Sequence, residues 1–234
     1  MIYLYSGSPG SGKTLHATYR IFDYIKRGKK VITNIVIDRA KLCKLSKKSE
    51  QELDELLVSV PNEELTVDFL YDFSRNELQR KKEHQCYIVI DEAGDIYNPR
   101  DWDKGDRMAW LKFMRVHRHY GYDMILISQS DRYIDRQIRG CLETEIKHRN
   151  VKYYKLFGLL LSLITGGMFI TVEYWYPMRL RCSSSCLLLN KRRASIYDTF
   201  QCFQDKSPEA TKSAGRTVVF TAEGAPADSV AHGD

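Results

Sequence analysis

The sequence predicts an α/β fold: a parallel sheet covered by helices on both faces, with a small β-hairpin toward the C-terminal end. Three observations carry this. Apolar runs such as "CYIVI" and "MILIS" are nearly continuous in β-branched and leucine residues, as strands buried on both faces are. Segments with apolar residues at helical spacing alternate with them. A glycine-rich loop, "GSPGSGKT", joins the first strand directly to the first helix.

That loop matches G-x-x-x-x-G-K-[ST] through Gly7, Gly12, Lys13 and Thr14, with Ser8, Pro9, Gly10 and Ser11 between them. Glycines admit positive φ and turn successive N–H groups inward, and the following helix points its positive dipole end at the same place. The whole loop, from Gly7 to Thr14, is therefore expected to cradle a polyphosphate. In that arrangement Lys13 reaches the β- and γ-phosphates and the Thr14 hydroxyl ligates Mg²⁺. The fold class is a P-loop NTPase.

The elements follow in order. "IYLY" is the first strand, and Lys13 to about Arg27 the first helix, with Leu15, Tyr19 and Phe22 at helical spacing and Gly28 as its stop. "VITNIVID" is the second strand. Residues from about 39 to 85 are highly charged, contain helical patches such as "SEQELDELLVSV", and are broken by Pro61, so they are expected as an insertion around the nucleotide core. "CYIVIDEAGD" is a buried strand ending in carboxylates. "DRMAWLKFMRVHRHYG", with Met108, Leu111 and Met114 three apart, is an amphipathic helix closed by Gly121, and "MILISQS" is the next buried strand. "MFITVEYWYPMRLR" reads as two strands joined through Pro177. The main domain is expected over 1–204, with a basic hairpin region over about 147–193 and a disordered tail over 205–234.

The second half of the site lies at two strand ends. Asp91 is placed to hold Mg²⁺ opposite Thr14, and Glu92 to polarise the attacking water as a general base. Gln129 ends a neighbouring strand, where a polar side chain points toward the nucleotide edge of the sheet and senses the γ-phosphate or water. "DEAG" also fits the D-x-x-G pattern of GTPases, but Asn190-Lys191 is followed by Arg192 and Arg193 with no Asp to pair with guanine, so the expected nucleotide is ATP.

The chain has 234 residues and a net charge of +6, unevenly spread. Between 147 and 193, Lys147, Arg149, Lys152, Lys155, Arg179, Arg181, Lys191, Arg192 and Arg193 face only Glu173. Such a block suits nucleic acid or anionic lipid, or a solvated face. Cysteines 43, 86, 141, 182, 186 and 202 lack the spacing of a zinc site. Reduced thiols are expected, although Cys182 and Cys186 could pair in an oxidising compartment. Nothing ahead of the phosphate loop resembles a secretory signal, so the expected location is cytoplasmic. Leu156 to Val172 is uncharged and flanked by Tyr153, Tyr154, Tyr174 and Trp175. It reads as a buried helix leading into the hairpin, with a membrane helix as the other reading.

Together these residues resemble the zonula occludens toxin (Zot) family, which includes the assembly ATPases of filamentous phages. The resemblance rests on "IYLYSGSPGSGKT", "VITN", "IVIDEAGDIYNPR", "HRHYGYDMILISQS" and, at the end, "IYDTF". "HRHYGYDMILISQ" is also similar to the Arg/His-Gly element and Gln-ended strand of HerA/FtsK-type DNA-pumping ATPases. The resemblance implies an ATPase beside the cytoplasmic face of the inner membrane that threads phage single-stranded DNA into a coat. It implies coat or secretion-pore partners, a homo-oligomer such as a hexameric ring, and peripheral membrane contact. It also implies a membrane span after the ATPase domain, whereas no apolar stretch of that length follows "IYDTF". An arginine finger supplied to a neighbour's site is expected from Arg139, with Arg136 and Arg118 as alternatives. The opposed reading is a non-enzymatic nucleotide-binding partner of an assembly or secretion complex.

Overall fold

A computed structural model describes residues 1–99, 104–153 and 167–197. Eight strands form one sheet: β1 (Ile2–Ser6), β2 (Lys30–Thr33), β3 (Leu57–Ser59), β4 (Cys86–Ile90), β5 (Tyr122–Ile127), β6 (Thr144–Asn150), β7 (Met168–Trp175) and β8 (Leu180–Leu188). Their order is β3-β2-β4-β5-β1-β6-β7-β8. The six from β3 to β6 run parallel, and β7 and β8 complete the sheet as an antiparallel hairpin on β6.

Apolar residues on successive strand positions explain the two helical layers. On one face Tyr5, Val31, Val89, Ile125 and Ile127 pack against α1 (Lys13–Lys26), α2 (Arg39–Ser46) and α3 (Glu50–Leu56). On the other, Ile2, Leu4, Ile88, Ile90, Met124 and Leu126 meet α4 (Val67–Glu77), α5 (Ala93–Ile96), α6 (Lys104–Val116) and α7 (Arg136–Arg139). A short α8 (Lys191–Ala194) follows β8 and packs on α1. Local signals set the helix starts. Asp38 accepts from the Lys41 N–H, Ser49 and Glu52 form a capping box, and Thr66 accepts from the Phe69 N–H.

Several expectations are corrected. The end of "SEQELDELLVSV" is not helical: Leu57, Val58 and Ser59 form β3, because Leu57 and Val58 bury themselves beside Val31 and Ile32 of β2. Residues 39–85 thus supply helices to both faces and the sheet's outer parallel strand. Met108 does not join the buried stripe of α6: it is 63% exposed, while Trp110, Leu111, Phe113 and Met114 are buried. Strand β6 was not expected, since Glu145, Lys147 and Arg149 alternate through it. Of the stretch read as a helix over 156–172, residues 168–172 belong to β7, while 154–166 lie outside the described residues. No helix among the described residues is long and apolar enough to cross a membrane. Cys182 and Cys186 cannot bond to one another within the chain. They stand on one extended strand, roughly 13 Å apart at the usual rise, well beyond disulfide reach. Lys155, Cys202, Asp198 to Phe200 of "IYDTF" and the 205–234 tail lie outside the described residues.

The aromatic cluster on α6 gives a direct test of the packing. Phe113 is fully buried, with Tyr71 and Trp110 edge-on to it and Tyr122 tilted against it. Phe113→Ala is expected to destabilise the chain by about 3–5 kcal/mol in denaturant melts, and Met108→Ala on the same helix by less than about 0.5 kcal/mol.

Candidate nucleotide site

The site forms where three adjacent parallel strands end. Strand β5 lies between β1 and β4, with Leu4 level with Leu126 and Leu126 level with Ile90. The phosphate loop after β1, Gln129 after β5 and Asp91-Glu92 after β4 therefore emerge side by side, at the carboxyl edge where α/β sheets bind ligands.

The loop has the geometry of an anion cradle. Gly7, Gly10 and Gly12 all have positive φ. At Gly7 a side chain is impossible, because a Cβ would sit 2.4 Å from the His148 carbonyl oxygen. Gly12 begins α1 in the left-handed region with no side-chain cap, so the N–H groups of the helix's first turn are left for a ligand. The Ser11 hydroxyl is buried without a hydrogen-bond partner. Lys13 donates to the carbonyl oxygens of Gly7 and Ser8 at 2.9 and 3.2 Å, and burial lowers its pKa. These features fit a polyphosphate, whose oxygens would take the lysine from the loop carbonyls. Ser8 lines a cavity of about 330 Å³ together with Gly7, Gln129 and Glu145, and Pro9 follows it at the exposed tip of the loop.

Thr14 and Asp91 meet as expected: the hydroxyl donates to Asp91 Oδ2 at 2.9 Å. Two hard oxygens on a loop and a strand end suit Mg²⁺, which usually takes one or two protein ligands and completes its shell with phosphate and water. Among the described residues no group of three or more His, Cys, Asp or Glu could hold a metal unaided. Burial raises the Asp91 pKa, against the Thr14 and Glu92 hydrogen bonds and the Lys13 charge. An Asn34 clamp, absent from the site expected from sequence, fixes the strand end. Its Nδ2 donates to the Asp91 carbonyl at 2.8 Å, and the Asp91 N–H donates back to Asn34 Oδ1 at 2.7 Å. The paired amide bonds hold the backbone through which the carboxylate is aimed.

Glu92 sits beside it with φ of 46°, a conformation that costs a non-glycine residue about 1–3 kcal/mol and that clusters at functional sites. Burial and then Asp91 raise its pKa, as Asp95 also does, while Lys13 and a hydrogen bond from Gln129 oppose this. Gln129 is tied to the phosphate loop, its carbonyl accepting the Gly7 N–H at 3.3 Å, and its side chain lies beside Glu92. Arg139 is not brought here. It lines a cavity with Arg136, Tyr176 and Arg179, and the chain just beyond it bonds Ile2 at the opposite end of β1. Arg118, an alternative for the finger, pairs with Glu143.

The underside of the loop carries two histidines that the sequence reading did not single out. His16 Nδ1 lies 2.9 Å from His148 Nε2, and the Tyr5 ring stacks on His16 and tilts against His148. The basic block is not one surface. Arg179 bonds Asp131 and Glu145, Lys147 lies over Tyr174, and Arg193 lies over Phe22 near Asp23.

Fold and site together define a P-loop NTPase. The chain belongs to the Zonular occludens toxin (Zot) family, whose model matches residues 1–176. It is similar to the Gene 1 protein of Salmonella phage IKe, 28% identical over 71% of this chain and 45% of that protein. The Gene 1 protein of Enterobacteria phage M13 is 26% identical over 86% of this chain and 60% of its own length. The chain therefore spans about half the length of these relatives. The solved N-terminal domain of zonular occludens toxin from Neisseria meningitidis aligns with a TM-score of 0.48 and 20% identity, over 84% of this chain and 98% of that one.

The histidine pair should tie stability to pH. Burial lowers the pKa of His16 to about 3 and that of His148 to about 4, from an ordinary 6.5. Below 6.5 the unfolded chain takes up protons that the folded chain refuses, so the pair's contribution is complete above 6.5 and is lost as pH falls toward 4. The raised pKa values of Asp91 and Glu92 act with the opposite sign at the acid end. Comparison with a His16→Asn, His148→Asn double variant separates the two effects. Between pH 6.5 and 4.5 the parent is expected to lose on the order of 1–3 kcal/mol more than the variant in denaturant melts.

Proposed function

We propose that this chain is an ATP-binding and ATP-hydrolysing motor domain for filamentous-phage assembly and DNA extrusion, working at the cytoplasmic face of the inner membrane. The observation that carries the reading is that the Thr14–Asp91 hydrogen bond, Glu92 and Gln129 come together at the ends of three neighbouring strands. A nucleotide carrier needs the first pair; the second suits a hydrolase.

In this mechanism the loop amides and Lys13 hold the β- and γ-phosphates, and Thr14 and Asp91 would hold Mg²⁺, which neutralises charge on the phosphate oxygens when bound. Glu92 accepts the proton of the water that attacks the γ-phosphorus, and its raised pKa makes it a better base than an ordinary surface carboxylate. Gln129 orients that carboxylate. Arg139, remote from its own loop, acts as a finger only through a neighbouring subunit, which fits a homo-oligomer such as a hexameric ring. Phage single-stranded DNA and coat or secretion-pore proteins are the proposed partners, with peripheral membrane contact. The family and its phage Gene 1 relatives support this assignment.

Steady-state ATPase assays with Mg²⁺, with and without single-stranded DNA, test the reading. Glu92→Gln is expected to lower turnover about hundredfold or more while ATP still raises the melting temperature of the variant. Undiminished turnover in the variant would remove the base assignment. No ATP-induced stabilisation of the wild-type chain would remove the nucleotide site itself.

A further inference from the structure

Strand β8 ends the sheet, and among the described residues nothing pairs with its outer edge. Eight of its nine residues are exposed. Natural edge strands are guarded by lysines, prolines or shortness. This one is nine residues long, has no proline and carries one charge, Arg181, which bonds Ser184 on the same strand. Its one bulge lies at Cys182, which the register shift between Glu173 and Tyr174 leaves without a partner on β7, so Ser183 to Leu188 form the regular part of the edge.

The sequence of the strand, "LRCSSSCLL", is nearly the same read in either direction about Ser184. Antiparallel pairing about that residue sets Ser183 opposite Ser185, Arg181 and the bulged Cys182 together opposite Cys186, and Leu180 opposite Leu187. Such like-with-like pairing is what a two-fold contact requires. It also covers Leu180, which is 53% exposed, with Leu187 of the other copy. Arg181 meets Cys186, so no like charges oppose.

We propose that β8 pairs antiparallel with β8 of a second copy of this chain about Ser184, joining two sheets into one. The contact is isologous and distinct from the head-to-tail contact a ring needs. A different partner strand would gain nothing from the two-way symmetry.

Directly opposite residues on paired strands have Cβ atoms about 4.5–5.5 Å apart, so Cys182 and the facing Cys186 fall within reach of a disulfide under copper-phenanthroline oxidation. The test uses the full chain with Cys43, Cys141 and Cys202 changed to Ser, the buried Cys86 being kept. That protein is expected to give a covalent dimer on a non-reducing gel. Cys182→Ser and Cys186→Ser should each abolish it, because each change removes both cysteine pairs. Mixing the two single variants should restore it, because one Cys182–Cys186 pair then forms in every mixed dimer. Covalent dimer from either single variant alone would overturn the register. Absence of dimer in the mixture, or a monomer by sedimentation at the oxidation concentration, would overturn the contact. ATP-induced stabilisation of each variant confirms that it is folded, and oxidation requires no hydrolysis, so the outcome is independent of the activity.

Discussion

The alignment of β1, β5 and β4 is the constraint on which the rest depends. Leu4, Leu126 and Ile90 lie level, so the residues that follow them leave the sheet together. Only then does the Thr14 hydroxyl, at the start of α1, reach a carboxylate two strands away at 2.9 Å. A one-residue slip of β4 would turn Asp91 to the other face and drive the Ile88 and Ile90 side chains out of the layer they fill into the one that Val89 packs against. Burial of those apolar residues, about 1.5–3 kcal/mol for each large side chain, thus fixes the register that makes the site.

The antiparallel hairpin shares this constraint, because it meets the phosphate loop directly and is fastened to it through β6. The Phe169 ring lies where a Cβ on Gly12 would stand, and Asn150 Nδ2 donates to the Gly10 carbonyl at 3.1 Å. Ser6, the residue before Gly7, donates to the buried Glu145, which in turn accepts from Arg179 in the hairpin turn at 2.6 Å. Glu145 is 2% exposed, so removing either partner would leave a buried carboxylate oxygen without its hydrogen bond.

The parts legible in the sequence were those with short-range signatures. Gly7 to Thr14 is contiguous, Asp91 and Glu92 directly end an apolar run, and Gln129 ends another, so strand-end logic located them without knowledge of the sheet order. What was missed depends on distant partners. Strand β6 looks polar because Glu145 and His148 alternate with charged residues, yet both are buried, one by Ser6 and Arg179 and the other by His16 and Tyr5. The period-two pattern of "TEIKHRN" was the available signal. Asn34 falls within the segment read as a strand, but β2 ends at Thr33, and its clamp on Asp91 exists only because β2 and β4 are neighbours. Residues 57–59 read as helix because the Ser49–Glu52 capping box starts a real helix just ahead of them.

The same dependence explains why the glycines of the loop cannot be judged from backbone freedom alone. Gly7 needs its positive φ, but it also needs to lack a side chain because the His148 carbonyl is already there, placed by β6. Gly12 is equally confined by Phe169 of β7. The loop is therefore shaped from below by the strands that sequence reading found hardest to see. Any movement of it on binding phosphate must be shared by β6 and β7, whose backbones are hydrogen-bonded along their whole common length.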